Sequence, residues 1–280
     1  MLRSSTQTGS TPKPLTRRAH KEHDSKGATE NLIRNSSRRS SLSGREALHW
    51  KRRLFHFLNG YLLVLVFRWY FSRKAFSRIL SVVWLLQLIA EIWRLRDPRF
   101  NSLVASLLGP VMRSHELHKF SGMLPYILGA LLTVSLFPET IAIIAVALLA
   151  TTDPVAALIG NSSRRFPHID RWARARHNKS LIGSLAGFVA AMFTMYAVLR
   201  ASTPTLRRGS CFWANCILPS AVAAAVEWLT PSPQPTLPAS WFPFALDDNL
   251  LIPPLVALTL QHTMVCLNAS SLLTSPWIFV

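Results

Sequence analysis

From residue 54 onward the chain alternates long apolar runs with short connectors, several of them rich in Lys and Arg. Within each run the apolar residues fill whole helical turns instead of marking one stripe, which is the pattern of helices that are hydrophobic all round. About 20 such residues cross the hydrocarbon of a bilayer. The pattern predicts spans at 54–71, 76–93, 122–138, 139–160, 181–199, 211–229 and 250–267. The first two carry the weakest signal, one being interrupted by Arg68 and the other short. Residues 100–112, FNSLVASLLGPVM, are too short to span and end in Gly-Pro, which suits an interfacial or re-entrant piece. Neither an internal repeat nor β-barrel alternation is visible. Irregular backbone exposed to lipid would leave polar groups unsatisfied, so the expected fold is all-α: a polytopic transmembrane helical bundle of about seven spans.

Residues 1–45 are rich in Ser, Thr, Lys and Arg and nearly free of aromatics. Such a segment cannot bury enough surface to offset its ordering entropy, so it is expected to be a disordered basic tail preceding a membrane-embedded domain over 46–280. No apolar core of a secretory signal follows the early basic residues. Within the tail, Arg38-Arg39-Ser40-Ser41 offers Ser40 and Ser41 to a basic-directed protein kinase, whose phosphate would subtract charge from a membrane-facing segment.

Composition agrees with the periodicity. Half of the 280 residues are hydrophobic and only 16% are charged, against about 25% charged in soluble domains. An ordinary soluble enzyme is thereby excluded. A formal net charge of +18 would raise nucleic acid as a partner, but the basic residues follow topology instead. With the N-terminus cytosolic, residues 1–53 and the connectors 94–121, 161–180 and 230–249 hold 24 Lys and Arg, against 7 on the opposite side. That is the positive-inside asymmetry of a multi-pass membrane protein. The three cysteines show no CxxC or metal-ligand spacing.

Only nine acids follow residue 53, and parity places Glu91, Glu116, Asp153, Glu227, Asp247 and Asp248 at the same cytosolic face. An ionisable group at membrane depth is costly unless it has a partner, and it marks a functional site by default. Carboxylates converging beside Arg94, Arg113, Lys179 and Asn249 have the makings of a Mg²⁺-nucleotide site, with Asp153, Glu227, Asp247 and Asp248 as expected metal ligands. The alternative is that the acids pair with nearby arginines at the interface. Asp153 precedes Pro154, which frees a backbone carbonyl one turn earlier, and small residues up to Gly160 let a ligand approach. No GxxxxGK[ST] loop exists, so a nucleotide would be held by other means. Lys179 and Ser180, followed by Gly183, open the fifth span either as a phosphate-contacting helix N-terminus or as a positive-inside anchor with an N-cap serine.

ATTDPVAALIG at 150–160, NKSLIGSLAG at 178–187, VEWL at 226–229 and LDDNLLIPP at 246–254 together resemble the CTP-dependent lipid kinase family, which includes fungal diacylglycerol kinase and, more distantly, dolichol and phytol kinases. RRLFHFLNG at 52–60 is similar to that family's Arg-Lys-x-x-His opening, and the resemblance runs in order over residues 50–265. It implies an enzyme of the endoplasmic reticulum membrane or nuclear envelope that transfers the γ-phosphate of CTP to a lipid hydroxyl, diacylglycerol first, yielding phosphatidate. It further implies catalytic roles for Asp153, Lys179 and Asp248, with Asp247 completing the metal site. Nucleotide binding would fall to Arg52, Arg53, His56, Arg113, Gly160, Ser180, Gly183 and Asn249. Two departures bear on nucleotide choice: Arg53 stands where the family has Lys, and an arginine-rich connector replaces the glycine usual after Gly160. The other readings of this chain are a polyprenol, dolichol or phytol-type alcohol kinase, a phosphatidate cytidylyltransferase and, from a different class, an ion-coupled transporter. A transporter would show two related halves with broken spans, and none is visible.

Overall fold

The computed structural model describes residues 50–109, 112, 114–163, 179–202, 210–230 and 247–265. The expected tail, with Ser40 and Ser41, lies outside them, as does Arg113. The described elements are all helical. They are α1 over residues 50–70, α2 Arg73–Arg96, α3 Pro98–Leu108, a 3₁₀ turn Ser114–Leu117, α4 Met123–Leu136, α5 Glu139–Ser162, α6 Leu181–Ser202, α7 Ser210–Leu229 and α8 Asp248–Val265. Four of these are long and apolar enough to cross a membrane: α2, α5, α6 over Leu181–Arg200, and α7 over Phe212–Leu229. The second expected span thus lies in a helix of sufficient length and apolarity. α4, with 14 residues, rises about 21 Å, short of a hydrocarbon layer of about 30 Å.

α5 is the axis of the bundle. It is apolar all round and buried over most of its length, as such a helix must be when other helices surround it. Ile141, Ile144, Leu148 and Leu149 pack with Met195 and Leu199 of α6, Phe212 of α7 and Ile252, Val256 and Leu260 of α8. Its other side, Ala142 and Val146, meets Phe67 of α1, Phe76 and Leu80 of α2 and Val134 of α4. The outer helices turn apolar faces away from the protein: Val82, Val83, Leu86 and Ile89 on α2, and Leu185, Val189 and Phe193 on α6, are exposed. In a bilayer those faces meet lipid.

Glycines stand at close helix crossings. A Cβ on Gly183 of α6 would collide with the carbonyl oxygen of Ala156 and lie 2.9 Å from the Cα of Gly160 on α5. A Cβ on Gly129 of α4 would collide with the carbonyl of Asn249 at the start of α8. Without side chains at these points the backbones approach closely, the usual use of small residues between membrane helices. α5 meanwhile runs unbroken through a buried Pro154.

Residues 100–112 contain helix rather than an irregular re-entrant loop. Pro98 sits at the first turn of α3, where its missing N–H costs nothing, and the Asp97 carboxylate accepts from Arg99 N at 2.8 Å. No residue of α3 is buried, so the interfacial alternative describes it better.

Candidate active site

The ends of four helices meet around Lys179, which lies just before α6. Its Nζ is 2.8 Å from Asp248 Oδ2 and 3.1 Å from Glu227 Oε1, and it also donates to the Glu227 carbonyl. Glu227 is completed by the Ser184 hydroxyl, which donates to Oε2 at 2.6 Å. An ammonium has three N–H donors. Lys179 thus directs all three at the end of α7 and the start of α8, tying both to α6. Burial alone would lower its pKa; the carboxylates of Asp248 and Glu227, helped by Asp153, more than reverse that and hold it above the ordinary lysine value. The acids expected to share one face do come together at one end of the bundle.

Asp247 has a local task. Its Oδ1 accepts from Asn249 N at 2.9 Å and from Asn249 Nδ2 at 2.8 Å, while its carbonyl accepts from Leu250 N and Leu251 N. This is a helix N-cap, which satisfies donors that the first turn leaves orphaned. The Asp-Asp-Asn sequence therefore combines a cap (Asp247), a partner for Lys179 (Asp248) and an amide pinned by the cap (Asn249).

Asp153 of α5, close enough to Lys179 to act on its charge, faces His56 Nε2 of α1 at 3.8 Å, and the His56 ring stands edge-on to Tyr126 with centroids 5.0 Å apart. α1 is held there by Tyr61, whose hydroxyl is 2.9 Å from Thr151 Oγ1 on α5. Arg52, one turn before His56, lies 3.8 Å from Glu116, and Glu116 Oε1 accepts from Gly122 N at 3.3 Å. Behind these, Arg94 and Glu91 are almost wholly buried. They pair at 2.6 Å, Arg94 donates to Asn101 and to the carbonyls of Leu117 and Lys119, and Glu91 accepts from Ser121 N. A buried pair so fully bonded fixes the loop over 117–122. The loop, α1, α2, α4 and Asn249 enclose a cavity of about 140 Å³, with Arg52, His56 and Tyr126 in its wall.

The expected site residues divide between these surroundings. Asp153, Lys179, Glu227 and Asp248 form one cluster; Arg52, His56 and Asn249 line the cavity beside it. Arg53 is next to Arg52 but does not line the cavity. Gly160, Ser180 and Gly183 serve packing: the glycines form the α5–α6 crossing, and the buried Ser180 hydroxyl is 3.2 Å from that of Ser163.

The expected metal set of Asp153, Glu227, Asp247 and Asp248 is of the right chemical kind for a hard cation. Its arrangement does not fit one: Lys179 stands between Glu227 and Asp248, Asp247 is spent on its cap, and among the described residues no three of His, Cys, Asp and Glu are grouped to hold an ion. Two polar groups were missed from the sequence, Ser184 and Tyr126. Each is one of several hydroxyls in its apolar helix, so neither hydropathy nor charge singles it out in the sequence.

Three curated relatives match the chain, each called CTP-dependent diacylglycerol kinase 1. The protein of Saccharomyces cerevisiae is 30% identical over 145 residues, covering 52% of this chain and 48% of the relative. That of Eremothecium gossypii is 31% identical over 143 residues, covering 51% and 44%. That of Schizosaccharomyces pombe is 26% identical over 220 residues, covering 76% of this chain and 92% of the relative. The chain thus spans about half the length of the first two. These likenesses bear out the resemblance read from the motifs. No family model matches the chain, and no solved structure does.

Proposed function

We propose that this chain is a membrane-embedded lipid kinase that transfers the γ-phosphate of CTP to the hydroxyl of diacylglycerol. The hydroxyl oxygen bonds to the γ-phosphorus, the bond from that phosphorus to the bridging oxygen breaks, CDP leaves with the electron pair, and the hydroxyl proton is released. The products are phosphatidate and CDP. The carrying observation is that motifs scattered over five helices, with Arg52, His56, Asp153, Lys179 and Asp248 among them, meet at one end of the bundle. The names of the relatives supply CTP and diacylglycerol.

In this reading Arg52 and Arg53 contact nucleotide phosphates, Asp153 and Asp248 shape the field around the transferring group, and Lys179 holds Asp248 in place. Positioning and electrostatics are what phosphoryl transfer chiefly asks of a protein. The site faces the cytosol, where the positive-inside count puts it, in the endoplasmic reticulum membrane or nuclear envelope. The tail over 1–45 is a separate basic segment.

The test is the purified chain in detergent with labelled CTP or ATP, offered diacylglycerol, dolichol and phytol in turn. Phosphorylation of diacylglycerol, with CTP preferred, is expected. Preference for an isoprenoid alcohol would move the assignment to the related alcohol kinases.

A further inference from the structure

The candidate active site occupies the end of the bundle where α2 and α5 finish. At the opposite end, where α2 begins and α4 finishes, an open groove of about 360 Å³ lies between these two helices. Arg73, Lys74, Ser77 and Arg78 of α2 line it, facing Val134 and Ser135 of α4. Arg78 and Glu91 are separated by about 20 Å along α2, so the groove takes no part in the proposed transfer. Its volume falls within the range of small-molecule sites, about 300 to 1,000 Å³.

Three cations share this groove without an acid. Among the described residues no carboxylate comes within ion-pair reach of Arg73, Lys74 or Arg78. Arg73 is anchored by donating from Nη1 to the Phe137 carbonyl at 2.9 Å, and Arg78 Nε donates to the Lys74 carbonyl at 3.3 Å. A guanidinium has five N–H donors and an ammonium three, so all three side chains have donors to spare. The hydroxyls of Ser77 and Ser135 are 2.7 Å apart, which uses one of their two hydrogens and leaves the other. These cations are also three of the seven Lys and Arg on the side that the positive-inside rule leaves poor. Topology therefore does not account for their gathering.

Towards the middle of the bundle the same surface turns apolar. Val82, one turn after Arg78, and Leu132, three residues before Ser135, are both exposed. At the groove's own level Trp69, Tyr70 and Phe71 are exposed as well, as aromatic residues at the membrane–water boundary are. A basic groove at headgroup depth above an apolar strip has the two parts of a phospholipid site. A zwitterionic headgroup carries its own cation, whereas cations without acids favour a headgroup of net negative charge. We propose that this groove binds the phosphate of an anionic phospholipid in the leaflet opposite the candidate active site. Arg73, Lys74, Arg78 and a serine hydroxyl surround the phosphate, and an acyl chain lies along Val82 and Leu132. The lipid so held ties the start of α2 to the end of α4. The site stands whether or not the chain is a kinase, since it shares no residue with the cluster around Lys179.

The test uses the full chain purified in a neutral detergent, with dioleoylphosphatidylglycerol, dioleoylphosphatidylcholine and inorganic phosphate as probes. Binding is read by thermal shift and by native mass spectrometry. The anionic lipid should raise Tm and be retained at one molecule per chain, while the zwitterionic lipid and inorganic phosphate do neither. Raising NaCl from about 0.1 to about 0.5 M should weaken the effect, as screening of exposed charges requires. The double variant Lys74→Gln/Arg78→Gln changes two exposed side chains and should bind the lipid about 30-fold more weakly, the scale of two basic groups beside an anionic headgroup. Arg96→Gln/Arg99→Gln removes the same charge at the other end of α2 and should bind like wild type. Ser135→Phe keeps every charge but fills the groove from α4, and it should lose the lipid shift too. A wild-type lipid shift in Lys74→Gln/Arg78→Gln or in Ser135→Phe would overturn the site. So would an equal loss in Arg96→Gln/Arg99→Gln, which would mean bulk charge, or an equal shift from phosphatidylcholine. A shift from inorganic phosphate as large as that from the anionic lipid would overturn the lipid as its source.

Discussion

Replacing Lys179 by Met keeps the apolar stem and removes the ammonium that faces Glu227 and Asp248 at 3.1 and 2.8 Å. At those distances and an effective dielectric near 20, each attraction is about 5–6 kcal/mol before desolvation is subtracted. All three side chains are at most 12% exposed, so water cannot take over the lysine's part. Leaving two buried carboxylates without their cation costs about 3–5 kcal/mol, the usual penalty for removing one member of a buried pair. For a domain of this size that lowers Tm by roughly 10 °C. The assay is thermal unfolding of the detergent-solubilised variant beside wild type, with kinetics on the same preparations. Because the Lys179 pKa is raised, its contribution is complete below the ordinary lysine value of about 10.4 and is lost only as pH rises through the higher folded value, so the Tm gap should not close as pH rises from about 7 to about 10. Adding Glu227→Gln and Asp248→Asn to Lys179→Met should recover more than half of the loss, since no unpaired charge then remains. A Lys179→Met protein that melts within ~2 °C of wild type while KM for CTP rises steeply would refute this reasoning; it would mean that the lysine spends its donors on phosphate.

Four further outcomes are expected. Asp153→Asn should reduce activity by ~100-fold with normal abundance, and combining it with His56→Ala should cost little more, because the two act as one pair; additive losses in kcat/KM would separate them. Asp247→Ala should lower stability by about 1 kcal/mol through the lost cap while Asp247→Ser retains most of it, whereas equal loss of activity in both variants without a change in Tm would return Asp247 to a chemical role. Gly183→Val should reduce folded yield by driving a side chain into the Ala156 carbonyl, at about 1–3 kcal/mol or more; a wild-type melting curve would dispose of the close α5–α6 crossing. Deleting residues 1–44 should leave specific activity within a few-fold, and abolished turnover in a folded truncation would make the tail part of the catalytic domain.

Much of the fold was legible because apolar runs bounded by charges leave little freedom in a bilayer. The expected 139–160, 181–199 and 211–229 became Glu139–Ser162, Leu181–Ser202 and Ser210–Leu229, each within three residues at either end. α1 begins earlier than its apolar run because Lys51, Arg52 and Arg53 are good helix formers that the hydropathy pattern discards. The start of α3 is written in Asp97-Pro98, a cap followed by proline at the first turn, a signal that hydropathy does not carry. The site was half legible. Parity gathers the acids at one face, but it is silent on partners, and Lys179 meets Asp248 across 69 residues of sequence. That choice is made by the α5–α6 crossing, which carries Lys179 to the ends of α7 and α8.

Phosphoryl transfer from CTP to diacylglycerol is tested most directly by one paired labelling experiment. The full chain, purified in detergent micelles with dioleoylglycerol, receives CTP labelled at the γ-phosphorus in one sample and at the α-phosphorus in the other. Label is expected to enter phosphatidate from the γ-position alone, with CDP accumulating in equal amount. Label entering lipid from the α-position, or a folded chain that leaves the γ-label in CTP, would contradict it.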